Sequence, residues 1–173
     1  MIKATETKEF EERVVQVRRV CKVVSGGKRL GFRVLAVIGD KKGRVGIGLG
    51  KASEVVAAIR KAMDTAKKSA INIPLIEGTI PHRVEGKLGA SLVIIRPAPA
   101  GHGVIAGGAS RIILELAGIR DAVAKSIGSS NAVNMAKATM AGLKQLKEQS
   151  VIEELRGKKI DVTYLQEKKE KDV

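Results

Sequence analysis

Residues 30–51 read LGFRVLAVIGDKKGRVGIGLGK, and this stretch decides the fold of the first half of the chain. Its first ten residues alternate two sets of side chains with the period of two that is typical of a β-strand. Residues 40–43 predict a hairpin loop in which glycine supplies a positive φ. A second strand follows at 44–51, with Gly46, Gly48 and Gly50 all on one face. Because that face has no side chains at three successive positions, we expect a bulky neighbour to approach its backbone closely.

The flanking segments extend this pair of strands to a β-β-β-α unit. Residues 13–24 read RVVQVRRVCKVV and predict another strand, with Val15, Val17, Cys21 and Val23 on one face. Residues 25–29 (SGGKR) predict a glycine-rich basic turn. Ser53 is expected to cap a helix that continues to about residue 70.

The second half of the chain predicts a separate α/β unit that begins near Gly78. Its strands are expected at 79–86, 89–96 and 119–127, and a proline-rich loop follows the second of them. Gly107 and Gly108 open a predicted helix at 109–117, and residues 128–131 form a turn and cap for a helix at 132–147. We therefore predict an α+β fold. Its segments are a lead-in at 1–12 (loose or a short helix), domains at 13–73 and 74–149, and a charged tail at 150–173 with a short helix at 151–156.

Charge points to the class of partner. The 173 residues carry a formal net charge of +14, and residues 1–75 hold 17 basic against 7 acidic residues. Like charges repel in the compact state, so this excess favours a polyanionic partner that contacts mainly the first half. Aromatic residues make up only 2% of the chain, which argues against single-strand binding by base stacking.

Two glycine-rich stretches partly match nucleotide-binding motifs. In GRVGIGLGKAS (43–53), the phosphate-binding pattern requires glycine where Val45 stands and a hydroxyl residue where Ala52 stands, so it fails twice. The stretch 101–106 fits the spacing of the dinucleotide fingerprint. However, Pro97 and Pro99 interrupt the strand that should lead into it. Its backbone amides are better suited to a phosphate or a partner chain.

Catalytic and metal-binding residues are sparse. The chain has two histidines, His82 and His102, and one cysteine, Cys21, so no intrachain disulfide can form. These residues do not form a recognisable nucleophile–base or zinc pattern. We predict no enzymatic activity, no metal and no cofactor. The chain begins with no secretory pattern and has no long apolar run, so we expect a cytoplasmic protein without a membrane partner.

The basic residues of the first domain are the strongest functional signal. They flank two glycine-rich turns and have few acidic neighbours, as phosphate contact requires. A β-β-β-α unit with basic turns suits folded RNA better than a DNA groove. The predicted RNA-binding residues are Arg18, Arg19, Lys22, Gly26, Gly27, Lys28, Arg29, Arg44, Lys51, Lys67 and Lys68.

Five stretches also match a known family in order and spacing. They are RVVQVRRVCKVVSGGKRLGFRVLAVIGD (13–40), GRVGIGLGKASEVVAAIRKAMDTAKK (43–68), GTIPH (78–82), IIRPAPAGHGVIAGGASRIILELAGIRD (94–121) and AKSIGSSNAVNMAKAT (124–139). In these stretches the chain resembles the S-five family of bacterial small-subunit ribosomal proteins. The resemblance implies an N-terminal domain like a double-stranded-RNA-binding fold. It also implies a C-terminal α/β domain with a left-handed βαβ crossover, although most such crossovers are right-handed.

The resemblance further implies a structural role in the small ribosomal subunit. The protein would bind small-subunit ribosomal RNA, adjoin proteins of the S-four and S-eight families, and lie near the path by which messenger RNA enters. It would contribute to subunit assembly and decoding accuracy. Residues 22–29 would contact RNA of the head–body neck, and Gly103 and Arg111 would contact the S-four protein. The alternatives are a free-standing RNA-binding regulator or chaperone, which composition alone does not separate from this role, and an enzyme that uses a glycine-rich loop.

Overall fold

The structure is a computed structural model that describes residues 10–158. Its first half forms an antiparallel sheet in the order β1-β2-β3-β4 with one helix packed on it. The elements are β1 (Glu11–Val24), β2 (Gly27–Gly39), β3 (Arg44–Ala52), α1 (Val55–Lys68) and β4 (Ile71–Asn72). This arrangement confirms the predicted β-β-β-α unit and adds the short strand β4.

Helix α1 packs directly on the glycine face of β3. A Cβ atom built on Gly46, Gly48 or Gly50 would overlap a carbonyl oxygen of the helix, from Ala66, Ala62 or Ala58 respectively. These three alanines are buried on the inner face of the helix. Small residues on both elements therefore allow the two backbones to touch, which confirms the predicted close approach.

The predicted faces of β1 were partly wrong because the strand contains a β-bulge. The register with β2 shifts between Val14 and Gln16, so the extra residue moves Val15 to the opposite face from Val17. Val15 packs against the main core, whereas Val17 is 44% exposed. A strict period of two cannot reveal a bulge, because the bulge changes which side chains share a face without changing composition.

Several boundaries also differ from the sequence predictions. The β1–β2 turn consists only of residues 25 and 26, so Lys28 and Arg29 lie on β2 rather than in a loop. Helix α1 has Glu54, not Ser53, at its N-cap, and no side chain makes a capping hydrogen bond there. The backbone N–H of Ala58 donates to the carbonyl of Glu54, so the helix begins one residue later than the sequence indicated.

The second half forms a sheet in the order β5-β6-β8-β7 with helices packed against it. Its elements are β5 (Val84–Leu88), β6 (Ser91–Pro97), β7 (Val104–Ile105), α2 (Gly108–Ala117), β8 (Ala122–Gly128), α3 (Ala132–Leu143) and α4 (Gln149–Arg156). Strands β7 and β8 are parallel and flank α2 in sequence, which provides the βαβ unit; its left hand stays a prediction. The first predicted strand begins at Val84 rather than Thr79, because Thr79 pairs only in an isolated bridge with Ile76.

The third helix ends earlier than predicted, but its start is confirmed. The side chain of Asn131 accepts a hydrogen bond from the backbone N–H of Val133 at 3.1 Å, as expected of an N-cap residue. The helix stops at Leu143 instead of residue 147. The short tail helix is confirmed as α4, whereas the rest of the predicted tail, from residue 159 onward, and the lead-in up to residue 9 lie outside the described residues.

Helix α2 joins the two halves through one shared hydrophobic core. Leu35, Val37 and Val45 of the first sheet belong to the same buried cluster as Ile113 and Leu116 of α2. The junction is also fixed by main-chain hydrogen bonds that the Lys41 and Gly43 N–H groups donate to α2 carbonyls at 3.0 and 2.9 Å. The two halves therefore share one hydrophobic core and are joined by main-chain hydrogen bonds.

Candidate nucleic-acid interface

Five basic side chains share one face of the first sheet. Arg18, Arg33 and Lys51 stand side by side in one row across β1, β2 and β3, and Lys22 lies opposite Arg29 two rows further along. Alternate residues of a strand share a face, so Arg33 lies on the same side as Leu35 and Val37, which pack against the cluster containing α2. The sheet extends beyond α2, and there four of these side chains are exposed whereas Arg33 is half-buried. We call Arg18, Lys22, Arg29, Arg33 and Lys51 the cationic face.

The cationic face has no internal charge compensation. Among residues 10–158, none of its five members forms an ion pair. The sequence has no acidic residue between Glu12 and Asp40. Like charges directly opposite each other on a sheet are destabilising. An anion bound along this face would neutralise these charges and relieve their repulsion.

A shallow hollow opens beside this set. Its volume is about 250 Å³, and Lys22, Arg29 and Lys51 line it together with the buried backbone of Gly31. Three ammonium or guanidinium groups around one opening can contact a chain of phosphates from several directions. The hollow is open rather than enclosed, so its shape suits an extended anion better than a small molecule.

The other predicted residues of the hairpin lie around its tip. Arg19 and Lys28 alternate with the cationic face and therefore point to the opposite side of the ribbon. Gly26 lies in the turn and Gly27 begins β2, and a Cβ atom at either position would meet nothing within 4 Å. The tip is thus narrow and open, and cations occupy both of its sides.

Three predicted residues lie at the other end of the sheet. Arg44 begins β3, and its guanidinium lies 5.0 Å from the centroid of the Phe10 ring. Lys67 forms an ion pair with Glu12 at 3.4 Å, and Lys68 ends α1. Ala66, near the end of α1, packs against Gly46, near the start of β3. Lys67 and Lys68 therefore lie near Arg44 at the start of β3 and not near Lys51. The structure therefore does not bring the predicted set into one patch.

Arg33 counts among the basic residues of the first domain but is not among the predicted RNA-binding residues. The residue stands between Arg18 and Lys51 and is half-buried. Its neighbours along β2 are apolar on both sides, so the alternation gave no sign that this position leaves the core. Only the pairing of three strands shows that it completes a row of cations.

The predicted partner residues are Gly103, which directly precedes β7, and Arg111, which lies on α2. Gly103 has a φ of 72°, and its N–H donates a 2.8 Å hydrogen bond to the carboxylate of Asp121. Arg111 is exposed on α2 and donates from Nε to Glu115 at 2.8 Å. The hydrogen bond from Arg111 is the main cause that holds the pKa of Glu115 below its ordinary value, and the hydrogen bond from Arg13 lowers it further.

The nucleotide and metal alternatives gain no support from the geometry. Gly50 and Lys51 belong to strand β3, with Gly50 against α1, so they do not form a phosphate loop. The His82 ring is engaged by main-chain groups: Nδ1 lies 3.0 Å from the Arg83 carbonyl, and Nε2 accepts from the Lys147 N–H at 3.3 Å. Over residues 10–158 the structure has neither a cluster of three metal-ligating side chains nor a helix long and apolar enough to cross a membrane.

Comparison with known proteins gives matches over both halves. The family model described as ribosomal protein S5, N-terminal domain, matches residues 10–74, and the one described as ribosomal protein S5, C-terminal domain, matches residues 86–156. The small ribosomal subunit protein uS5 of Thermotoga petrophila is 48% identical over 164 residues, which cover 95% of this chain and 92% of that protein. The protein of the same name from Thermotoga maritima is 47% identical with the same coverage.

Proposed function

The chain belongs to the ribosomal protein S5 family, and from this premise we propose that its cationic face binds small-subunit ribosomal RNA. As a member of this family it is a structural, non-enzymatic constituent of the small ribosomal subunit, in the cytoplasm. What the membership leaves open is the surface through which the protein is held in the subunit. The cationic face would be the main surface of this kind.

The observation that carries the proposal is the row Arg18–Arg33–Lys51. Three cations in register repel one another in the free protein, and phosphates placed along the row would neutralise them. A sheet face that carries only cations reads the shape and charge of an RNA backbone rather than the edges of its bases. Arg19 and Lys28 would add contacts on the other side of the hairpin tip.

Particular positions that match the S-five family imply further contacts. We propose that Arg44, Lys67 and Lys68 form a second, smaller RNA contact at the other end of the sheet. Gly103 and Arg111 would contact a protein of the S-four family. We also propose that the protein adjoins a protein of the S-eight family and lies near incoming messenger RNA. It would contribute to subunit assembly and decoding accuracy.

The hairpin offers a matched test, because Lys28 and Arg29 are adjacent in sequence but lie on opposite faces. The experiment titrates the full chain with small-subunit ribosomal RNA over a range of salt concentrations. It compares the wild type with Lys28→Gln and Arg29→Gln. Each phosphate contact that is lost should reduce the slope of log affinity against log salt by about 0.7 to 0.9.

We expect Arg29→Gln to reduce both affinity and slope, and Lys28→Gln to have the smaller effect. Lys125→Gln is the control, because Lys125 is an exposed lysine on β8 of the other sheet and should leave both quantities unchanged. If the salt slope falls in Lys28→Gln but not in Arg29→Gln, the RNA interface lies on the opposite side of the ribbon. Equal responses at Lys125 and Arg29 would show only a general charge effect.

A further inference from the structure

The carboxylate of Glu115 is shared by two arginines from the two halves of the chain. Its Oε1 accepts from Arg111 Nε and its Oε2 accepts from Arg13 Nη1, both at 2.8 Å. Arg111 is one turn earlier on α2, whereas Arg13 lies on β1, 102 positions away in sequence. The side chain of Glu115 is 29% exposed, so the group lies at the edge of the junction and not in open solvent.

Arg13 is itself held on its other side. Its Nη2 donates to Glu11 at 3.2 Å, and Glu11 also pairs with Lys41 of the β2–β3 loop. The alternating sequence of charges, Lys41–Glu11–Arg13–Glu115–Arg111, fixes the carboxylate at both oxygens. Such a network restricts the rotamers of its members more than an isolated surface pair does.

Arg111 keeps most of its hydrogen-bonding capacity. It uses only Nε on Glu115, and its two terminal nitrogens make no hydrogen bond within residues 10–158. The side chain is 59% exposed. Because a guanidinium is planar, anchoring Nε fixes the direction in which the terminal N–H groups point. Arg111 therefore presents an oriented fork that fits a carboxylate in a bidentate manner.

Local charge favours a protein carboxylate over RNA as the ligand of this fork. Glu115 and Glu11 lie beside the two arginines, so the surface is nearly neutral in sum, unlike the cationic face. A run of phosphates would be repelled by these carboxylates, whereas a single acidic side chain of a partner would meet only the fork.

We propose that Glu115 and Arg13 are positioning residues for the partner contact made by Arg111. This inference rests on the proposed function, in which Arg111 contacts a protein of the S-four family. Glu115 orients the Arg111 fork, and Arg13 holds Glu115 in the rotamer that bonds Nε alone. Without Arg13, both oxygens of Glu115 are free to turn onto Arg111 and compete with the partner's carboxylate. Arg13 thus acts on the partner only through Glu115.

The test measures binding of the full chain to a purified S-four-family protein of the same organism. The variants are Arg111→Ala, Glu115→Gln, Arg13→Met and the double variant Arg13→Met/Glu115→Gln. Glu115→Gln and Arg13→Met should each weaken binding about two- to fivefold, the size expected of partly exposed charge pairs. The double variant should be no weaker than Glu115→Gln alone, because two residues that act through one contact are not additive.

Each outcome separates the inference from the proposed function. If Arg111→Ala binds the partner with full affinity, the partner contact itself is overturned. If Arg111→Ala loses affinity but Arg13→Met and Glu115→Gln bind as tightly as the wild type, only the positioning roles are overturned. Strictly additive losses would show that Arg13 acts independently of Glu115. If Arg111→Ala instead lowers affinity for ribosomal RNA alone, the fork binds phosphate and the inference fails. Thermal unfolding of every variant, with Arg60→Met on α1 as a matched control, keeps a loss of folding distinct from a loss of binding.

Discussion

Replacing Arg33 with glutamine should stabilise the free protein and weaken its RNA binding at the same time. Arg33 stands directly opposite Arg18 on one side and Lys51 on the other. Each like-charge pair across a sheet costs about 0.2 to 1 kcal/mol, so removal of the shared member should relieve about 1 kcal/mol at low salt. For a chain of this size, that corresponds to a rise in Tm of about 2 to 4 °C. A lost phosphate contact should reduce the salt slope of RNA affinity by about 0.7 to 0.9.

The assay combines thermal unfolding of the full chain at low and high salt with RNA titrations over the same range. The gain in Tm should shrink at high salt, because added ions screen exposed charges. Arg33→Lys is the matched control, since it keeps the charge and should show neither the gain in Tm nor the lower slope. An Arg33→Gln variant with a lower Tm at low salt, or with an unchanged salt slope, would refute the reasoning that the row is strained in the free protein and relieved by phosphate.

Three further predictions concern the scaffold. Gly48→Ala should destabilise the fold by about 2 to 3 kcal/mol in chemical unfolding, because the added Cβ overlaps the Ala62 carbonyl. Asn131→Ala should cost about 1 kcal/mol in the same assay through loss of the cap on Val133. Because the pKa of Glu115 is lowered in the folded protein, its carboxylate contributes to stability at pH values above the ordinary pKa of 4.5. This contribution should be lost as the pH falls through the lower pKa of the folded state. Stability measured against pH should therefore fall less steeply below pH 4.5 in Glu115→Gln than in the wild type.

The first two predictions each have a control variant within the chain. Gly26→Ala adds a Cβ with no neighbour within 4 Å, so a comparable loss there would contradict the steric account of Gly48. Asn131→Ser keeps a capping oxygen and should retain most of the stability. An identical pH profile for Glu115→Gln and the wild type would show that the two arginines do not depress the carboxylate's pKa in the folded protein.

The glycine face of β3 illustrates what the sequence could predict. Glycine at every second position of a strand has one simple physical consequence, a bare backbone, and α1 packs there as expected. The Asn131 cap was predictable for the same reason, because the short side chain and the neighbouring N–H groups are local. Local chemistry of this kind needs no knowledge of the rest of the fold.

The row on the cationic face shows why the rest could not be predicted. Arg18 and Lys51 were identified from charge, but their register with Arg33 depends on how three strands pair. The bulge after Val14 also sets which β1 side chains reach that face, and nothing in the composition marks it. The bond between Arg13 and Glu115 joins positions 102 residues apart, so it exists only once α2 has packed on the first sheet.

The measurement that tests the central claim most directly is sedimentation of cell lysates through a sucrose gradient in high salt. Cells would express either the tagged wild type or Arg18→Gln/Arg33→Gln/Lys51→Gln, and the tagged protein would be followed through the gradient. We expect the wild type to co-migrate with small subunits in near-stoichiometric amounts, and the triple variant to shift substantially to the top of the gradient while remaining folded. Retention of the triple variant equal to the wild type would contradict the assignment of the RNA interface to the cationic face. Wild-type protein mainly at the top, beside a normal ribosome profile, would favour a free RNA-binding regulator.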